Sequence, residues 1–95
     1  MTYKLKFLPA TQKEWGKLAP PIKTQFKKKL IERLENPHVP ASKLRGYDSV
    51  YKIKLRTAGY RLAYEVIDDE IVVYVLAIGK RDKDVVYKKL GSRFR

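Results

Sequence analysis

Val50-Tyr-Lys-Ile-Lys-Leu-Arg56, followed by Thr57-Ala-Gly-Tyr60 and then Arg61-Leu-Ala-Tyr-Glu-Val66, is the stretch that decides the fold. Successive side chains of a strand point to opposite faces. Tyr51, Ile53 and Leu55 therefore share one face, and Lys52, Lys54 and Arg56 share the other. In the second run Leu62, Tyr64 and Val66 lie together, with Arg61, Ala63 and Glu65 behind them. A hairpin turning at Thr57–Tyr60 gathers every apolar residue on one side, whereas a slip of one residue would turn Arg61 toward the core. The spacing predicts Arg56 opposite Arg61, Leu55 opposite Leu62, Ile53 opposite Tyr64 and Tyr51 opposite Val66. Ala63 then forms a shallow floor opposite Lys54, and Glu65 faces Lys52. Like charges directly opposite one another destabilise a sheet, so these four bases on one solvent face point to an anionic ligand.

Working outward, Tyr3-Lys-Leu-Lys-Phe7 alternates and reads as a first strand. Thr11-Gln-Lys-Glu14 has the form of a capping box, with Thr11 as N-cap of a short helix carrying Trp15 and Leu18. Pro20-Pro21 opens a second helix, because proline fits the first helical turn. Ile22, Phe26, Leu30 and Leu34, with Ile31 beside them, give that helix its apolar side, and Asn36-Pro37 stops it. His38 to Ser49 is a polar connection in which His38 is expected to be a bystander. Ile71 to Gly79 is apolar on both sides and reads as a central, doubly covered strand turning in from Asp68-Asp69-Glu70. Asp82 or Asp84 is the expected cap of a last helix with Val85, Val86 and Leu90 facing inward. The order β-α-α-β-β-β-α predicts one small α+β domain spanning residues 1–95, with a mostly antiparallel sheet, a helical hairpin on one face and a C-terminal helix.

Composition narrows the function. Ninety-five residues suit one domain. Lysine plus arginine number 22 against 10 acids, a formal charge of +12, above the ~2–8 of an ordinary small domain. A polyanionic partner is the economical explanation. The bases are not spread evenly: residues 62–79 hold none, while 43–61 and 80–95 are rich in them. Cysteine is absent, which excludes disulfides and thiolate chemistry. A single histidine argues against a histidine-ligated metal site or a histidine acid–base pair; neither metal nor cofactor is expected. Lys27-Lys-Lys29 reads as a solvated outer helix face. The longest apolar run is far short of the ~20 residues that span a bilayer, and the first residues show no signal-peptide pattern, so a cytoplasmic protein without membrane partners is expected.

Lys43-Leu-Arg-Gly46, Tyr51-Lys-Ile-Lys-Leu-Arg56, Gly59-Tyr-Arg-Leu62, Gly79-Lys-Arg-Asp82 and Val86-Tyr87, in this order and spacing, resemble the RelE family of bacterial toxins within the RelE/ParE superfamily. The resemblance covers nearly the whole chain. It implies the toxin of a type II toxin–antitoxin system: a metal-independent endoribonuclease that cuts mRNA in the ribosomal A site. Attack by the 2′-hydroxyl on the adjacent phosphate would leave a 2′,3′-cyclic phosphate and a 5′-hydroxyl. The family's catalytic residues fall on Lys52, Lys54, Arg61, Arg81 and Tyr87. Arg45 is a further RNA contact, and Lys43, Arg56 and Lys80 are expected beside it. The implied partners are a RelB-type antitoxin, ribosomal RNA and A-site mRNA, with operator DNA reached only through the antitoxin. Two other readings stand beside this one: a non-catalytic RNA- or ribosome-binding module, and a ParE-like toxin acting on DNA gyrase.

Such a reaction needs a base, an acid for the leaving 5′-oxygen and cations around the phosphorane-like transition state. With histidine unavailable, Tyr87 is the candidate base. An ordinary phenol ionises with a pKa of ~10, and nearby cations favour its phenolate form. Lys52 and Lys54 are the expected source of that field. Arg61 and Arg81 read as planar forks for phosphate oxygens. The acid stays open between Arg81 and a lysine whose pKa its cationic neighbours depress. All of this requires Arg81 and Tyr87 to reach the hairpin's basic face.

Overall fold

The computed structural model describes residues 2–80 and 85–93. Strand β1 (Lys4–Phe7) is followed by helices α1 (Pro9–Gly16) and α2 (Pro20–Glu35), strands β2 (Val50–Leu55), β3 (Tyr60–Ile67) and β4 (Val72–Lys80), and helix α3 (Val85–Arg93). The four strands form one sheet in the order β1-β4-β3-β2. β1 runs parallel to β4, and the other two pairings are antiparallel. The expected α+β architecture is the one observed, and the apolar β4 occupies an interior position with cores on both faces.

One core lies between the sheet and the α1–α2 hairpin. Phe26 and Leu30 of α2 pack there on Ile53, Leu62, Tyr64 and Val75. The other lies under α3, where Val86 and Leu90 meet Leu44, Val50, Ala63 and Ala77. A bulge in β4 serves both. Ala63 pairs with Ala77, but Tyr64 pairs with Val75, which leaves Leu76 as the extra residue. The alternation reverses across it, so that Val73, Val75 and Ile78 all enter the first core while Leu76 and Ala77 enter the second.

The β2–β3 hairpin corrects the expected register. Leu55 pairs with Tyr60, Lys54 with Arg61, Ile53 with Leu62, Lys52 with Ala63, Tyr51 with Tyr64 and Val50 with Glu65. Every residue keeps its expected face, but the pairing has moved by two positions. The turn is the cause. Arg56 to Gly59 form a four-residue loop closed by the Gly59 N–H donating to Leu55 O at 2.8 Å. Gly59 takes φ +70, a region that favours glycine. Arg56 thus leaves the strand for the loop, Ala63 lies opposite Lys52, and Glu65 faces Val50 rather than Lys52.

Two further expectations fail for identifiable reasons. Thr11 does not cap α1. Pro9 begins that helix with extended Leu8 at its N-cap, and Thr11 is fully buried with Oγ1 2.9 Å from both Leu8 O and Val75 O, sharing one proton between them. Ile31 is 62% exposed, because one residue beyond Leu30 turns it about 100° away from the apolar stripe. The Asp82 or Asp84 cap lies outside the described residues.

Candidate functional site

The solvent side of the hairpin carries the bases as the strand alternation requires. Lys52 and Lys54 project from β2, Arg61 lies opposite Lys54 on β3, and Gly79 lies opposite Arg61 on β4. Buried Ala63 opposite Lys52 keeps the floor low. Lys52 above all, then partial desolvation, Arg61 and Arg56, hold the Lys54 ammonium below the ordinary lysine range. The hairpin is braced from behind. Arg33 donates to Lys52 O at 3.2 Å, to the Tyr64 hydroxyl at 2.8 Å and to Ser42 Oγ at 3.1 Å, while Tyr64 stacks on Tyr51 in the core.

Helix α3 crosses this face, and Gly79 lets it come close. A Cβ at that position would meet Val85 Cγ1 at 3.1 Å and Val86 Cγ2 at 3.5 Å. The helix brings Tyr87 to the cations: the Arg61 guanidinium carbon sits 5.4 Å from the centroid of the Tyr87 ring, within the range of a cation–π contact. The buried Arg61 Nε has no acceptor among the described residues. A hollow of about 340 Å³ opens beside the contact, lined by Lys43, Leu44, Arg45, Tyr47, Lys52 and Tyr87. A second hollow, of about 320 Å³, contains Lys52, Lys54 and Arg56; Lys52 is common to both.

A latch fixes the far half of α3. Glu14 Oε2 receives Lys89 Nζ at 2.6 Å and Arg93 at 2.8 Å. Glu14 Oε1 receives a second Arg93 bond at 3.1 Å and the Ile78 N–H at 3.2 Å. Lys89 also donates to Ile78 O and Arg93 to Leu76 O. Burial pushes the Glu14 carboxyl up, but Arg93 and Lys89 together outweigh it and hold the group below its ordinary value.

Of the residues expected from sequence, Lys52, Lys54, Arg61 and Tyr87 converge, with Lys43 and Arg45 on the same rim. Arg56 flanks them from the loop. Lys80 lies elsewhere, in a groove of about 310 Å³ with Tyr60, Lys17 and Glu14. Arg81 lies outside the described residues. His38 is away from this face, as expected of a bystander. It is not idle, however, since it links the Tyr51 hydroxyl at 3.3 Å to Asp68 at 2.8 Å. Sequence reasoning missed Tyr47 and the latch. Arg45-Gly46 signals the turn that places Tyr47; Lys89 and Arg93 are visibly one helical turn apart, but nothing local names Glu14 as their partner.

The family described as "ParE toxin of type II toxin-antitoxin system, parDE" matches residues 5–85. The chain is 50% identical to mRNA interferase toxin RelE of Escherichia coli (strain K12) over 93 residues, 98% of each chain. The chain belongs to the RelE/ParE family of type II toxins. The fold of this RelE/ParE chain is similar to a free-state arginine-to-alanine mutant of E. coli toxin RelE, with a TM-score of 0.92, 47% identity and full coverage of both chains. It is also similar to the toxin in the intact E. coli RelBE toxin–antitoxin complex, with a TM-score of 0.82 and 51% identity over 85% of this chain and 99% of that one. Among the described residues, no helix is long and apolar enough to cross a membrane.

Proposed function

We propose that this chain is a ribosome-dependent mRNA interferase, the toxin of a type II toxin–antitoxin pair, acting as one domain over residues 1–95 in the cytoplasm. The observation that carries the reading is the meeting of Lys52, Lys54 and Arg61, from two paired strands, with Tyr87 from a separate helix. The naming of a 50%-identical relative as an mRNA interferase supports it, and relatives solved as RelBE complexes support a RelB-type antitoxin partner.

In this reading a phosphate of single-stranded RNA enters over Ala63, between Lys52 and Arg61. Arg61 donates to its non-bridging oxygens, where the guanidinium fork, with an Nε that has no acceptor among the described residues, favours an oxyanion. Tyr87, lying over Arg61, takes the proton of the attacking 2′-hydroxyl, and Lys52 and Lys54 neutralise the charge that develops. The leaving 5′-oxygen needs a proton. Lys54 is better suited to give it than an arginine, because its cationic neighbours weaken its hold on that proton, whereas a guanidinium has a pKa above ~12. Arg81 then serves as a phosphate fork. Acid–base groups this far from neutral pH supply less than the usual ~10²–10⁴-fold, so alignment must supply more. The ribosome provides it by holding the mRNA in an in-line geometry.

Primer extension on an mRNA in a purified translation system tests this. Codon-phased cuts are expected from the native chain. Tyr87→Phe and Arg61→Ala should each slow them by roughly 10²–10³-fold, the cost of losing one transition-state group. Ribosome binding without cuts would instead favour a non-catalytic module. Inhibited DNA supercoiling without cuts would favour a gyrase-directed toxin.

A further inference from the structure

The hollow beside Tyr87 holds a feature that phosphate chemistry does not use. Leu44 to Tyr47 form a tight turn in which the Tyr47 N–H donates to Leu44 O at 3.4 Å and Gly46 takes φ +89. A positive φ at the third position of such a turn demands glycine. The turn places Arg45 at its exposed tip and folds Tyr47 back toward α3. Leu44 is buried beneath it, whereas Tyr47 stays half-buried, packing on the second core and also lining the hollow. Tyr87 borders the same hollow in the same way.

Three hollows run together along this face. The one containing Lys54 and Arg56 joins the one between Tyr47 and Tyr87 through Lys52. That one continues through Lys43, Arg45 and Tyr47 onto an outer shelf reaching Asp48. Cations therefore flank an aromatic compartment on both sides. Its volume, about 340 Å³, falls at the small end of the ~300–1,000 Å³ of ligand pockets. Positive charge tracking a backbone, interrupted by aromatic faces, is the arrangement that binds single-stranded nucleic acid.

We propose that Tyr47 forms one wall of a nucleobase site. One unpaired base of the bound RNA enters between Tyr47 and Tyr87 over Leu44, while Lys43 and Arg45 hold the phosphate on one side of it and Lys52 the phosphate on the other. The site rests on the reading of the chain as an RNA-directed toxin and adds a base-contacting residue to it. Tyr47 takes no part in the proton transfers. It fixes which nucleotide lies next to the reacting phosphate and how firmly its base is held.

The test uses the full-length chain and a 2′-O-methyl RNA tetranucleotide, which cannot be cleaved, carrying 2-aminopurine at its second position. The native chain and Tyr47→Phe should quench the 2-aminopurine fluorescence on binding. Tyr47→Ala, which keeps only the Tyr87 wall, should quench clearly less and bind roughly 5- to 150-fold more weakly, the range found when a stacking aromatic is truncated. An abasic tetranucleotide should bind the native chain and Tyr47→Ala equally. No quenching by the native chain at saturation would overturn the proposal, as would undiminished quenching by Tyr47→Ala. An equal loss of affinity for the abasic strand would mean that the substitution acts on the fold, and would overturn it too. The outcome is independent of catalysis: quenching without mRNA cleavage would sink the interferase reading alone, and cleavage without quenching would sink the base site alone.

Discussion

Replacing Glu14 by Gln changes one atom and should loosen a whole helix. The carboxylate sits between Lys89 and Arg93 of α3, with side-chain exposures of 18% for Glu14, 29% for Lys89 and 20% for Arg93. Glutamine can keep Oε1 for the Ile78 N–H and one Arg93 bond, but it turns an amide toward the lysine and the second arm of the arginine. Hydrogen bonds to charged groups contribute about 1.5–3 kcal/mol each, and breaking a fully buried pair costs about 3–5 kcal/mol. Partial exposure and the surviving Ile78 O and Leu76 O contacts reduce the total, leaving a loss of about 2–3 kcal/mol. For a domain of this size, at about 4–8 °C per kcal/mol, the melting temperature should fall by roughly 8–24 °C. Circular dichroism melts at pH 7 measure this, and amide exchange along α3 locates it.

The pH dependence has a definite sign. Glu14 is held below the ordinary glutamate value of 4.5, so its contribution is complete above that value and fades as the pH falls through its lower native value. The gap between native and Glu14→Gln melting temperatures should therefore close in acid. A gap under about 3 °C at pH 7, or one that widens below pH 4.5, would refute the latch.

Gly79→Ala places a methyl 3.1 Å from Val85 Cγ1. It should cost about 1–3 kcal/mol by overpacking, read as a lower melting temperature together with weaker cleavage as α3 is lifted from Arg61. If Lys54 supplies the leaving-group proton, single-turnover cleavage should decline as the pH rises through a value below the ordinary 10.5, and Lys54→Arg should move that decline to higher pH; a pH–rate profile with the same limb in both would assign the proton elsewhere. Binding of a non-cleavable single strand should weaken with salt at a log–log slope of roughly −4 if about six phosphates are neutralised, and a slope near −1 would mean that most of the basic face is idle.

Strand alternation was enough to place Lys52, Lys54 and Arg61 on one face, because a face is set by parity and parity by the apolar partners Ile53 and Leu62. It was not enough to pair them. Sliding the hairpin by two residues buries the same side chains, so the choice fell to the Arg56–Gly59 loop, whose closing hydrogen bond no hydrophobic pattern displays. Thr11 and Glu14 mislead for a related reason. Their spacing is that of a local cap, yet both are claimed by distant parts of the chain, Val75 for one and Lys89 and Arg93 for the other. Tyr87 was legible as a candidate site residue through the family resemblance and the basic segment around it. Tyr47 was not, since a lone tyrosine after a glycine turn has no periodicity to announce which side of the sheet it will cover.

The Arg61 Nε, which has no acceptor among the described residues, bears on how the protein could be improved or silenced. A buried donor left without an acceptor weakens a fold by about 1–3 kcal/mol, and on the proposed function an oxyanion that reached it would relieve that deficit only while it stayed. On the proposed function, part of the grip on RNA would thus be present beforehand as discomfort in the fold. A neighbouring side chain that offered Nε an internal oxygen would make the domain tougher and the toxin milder in the same stroke, so variants selected for heat resistance alone should drift toward harmlessness.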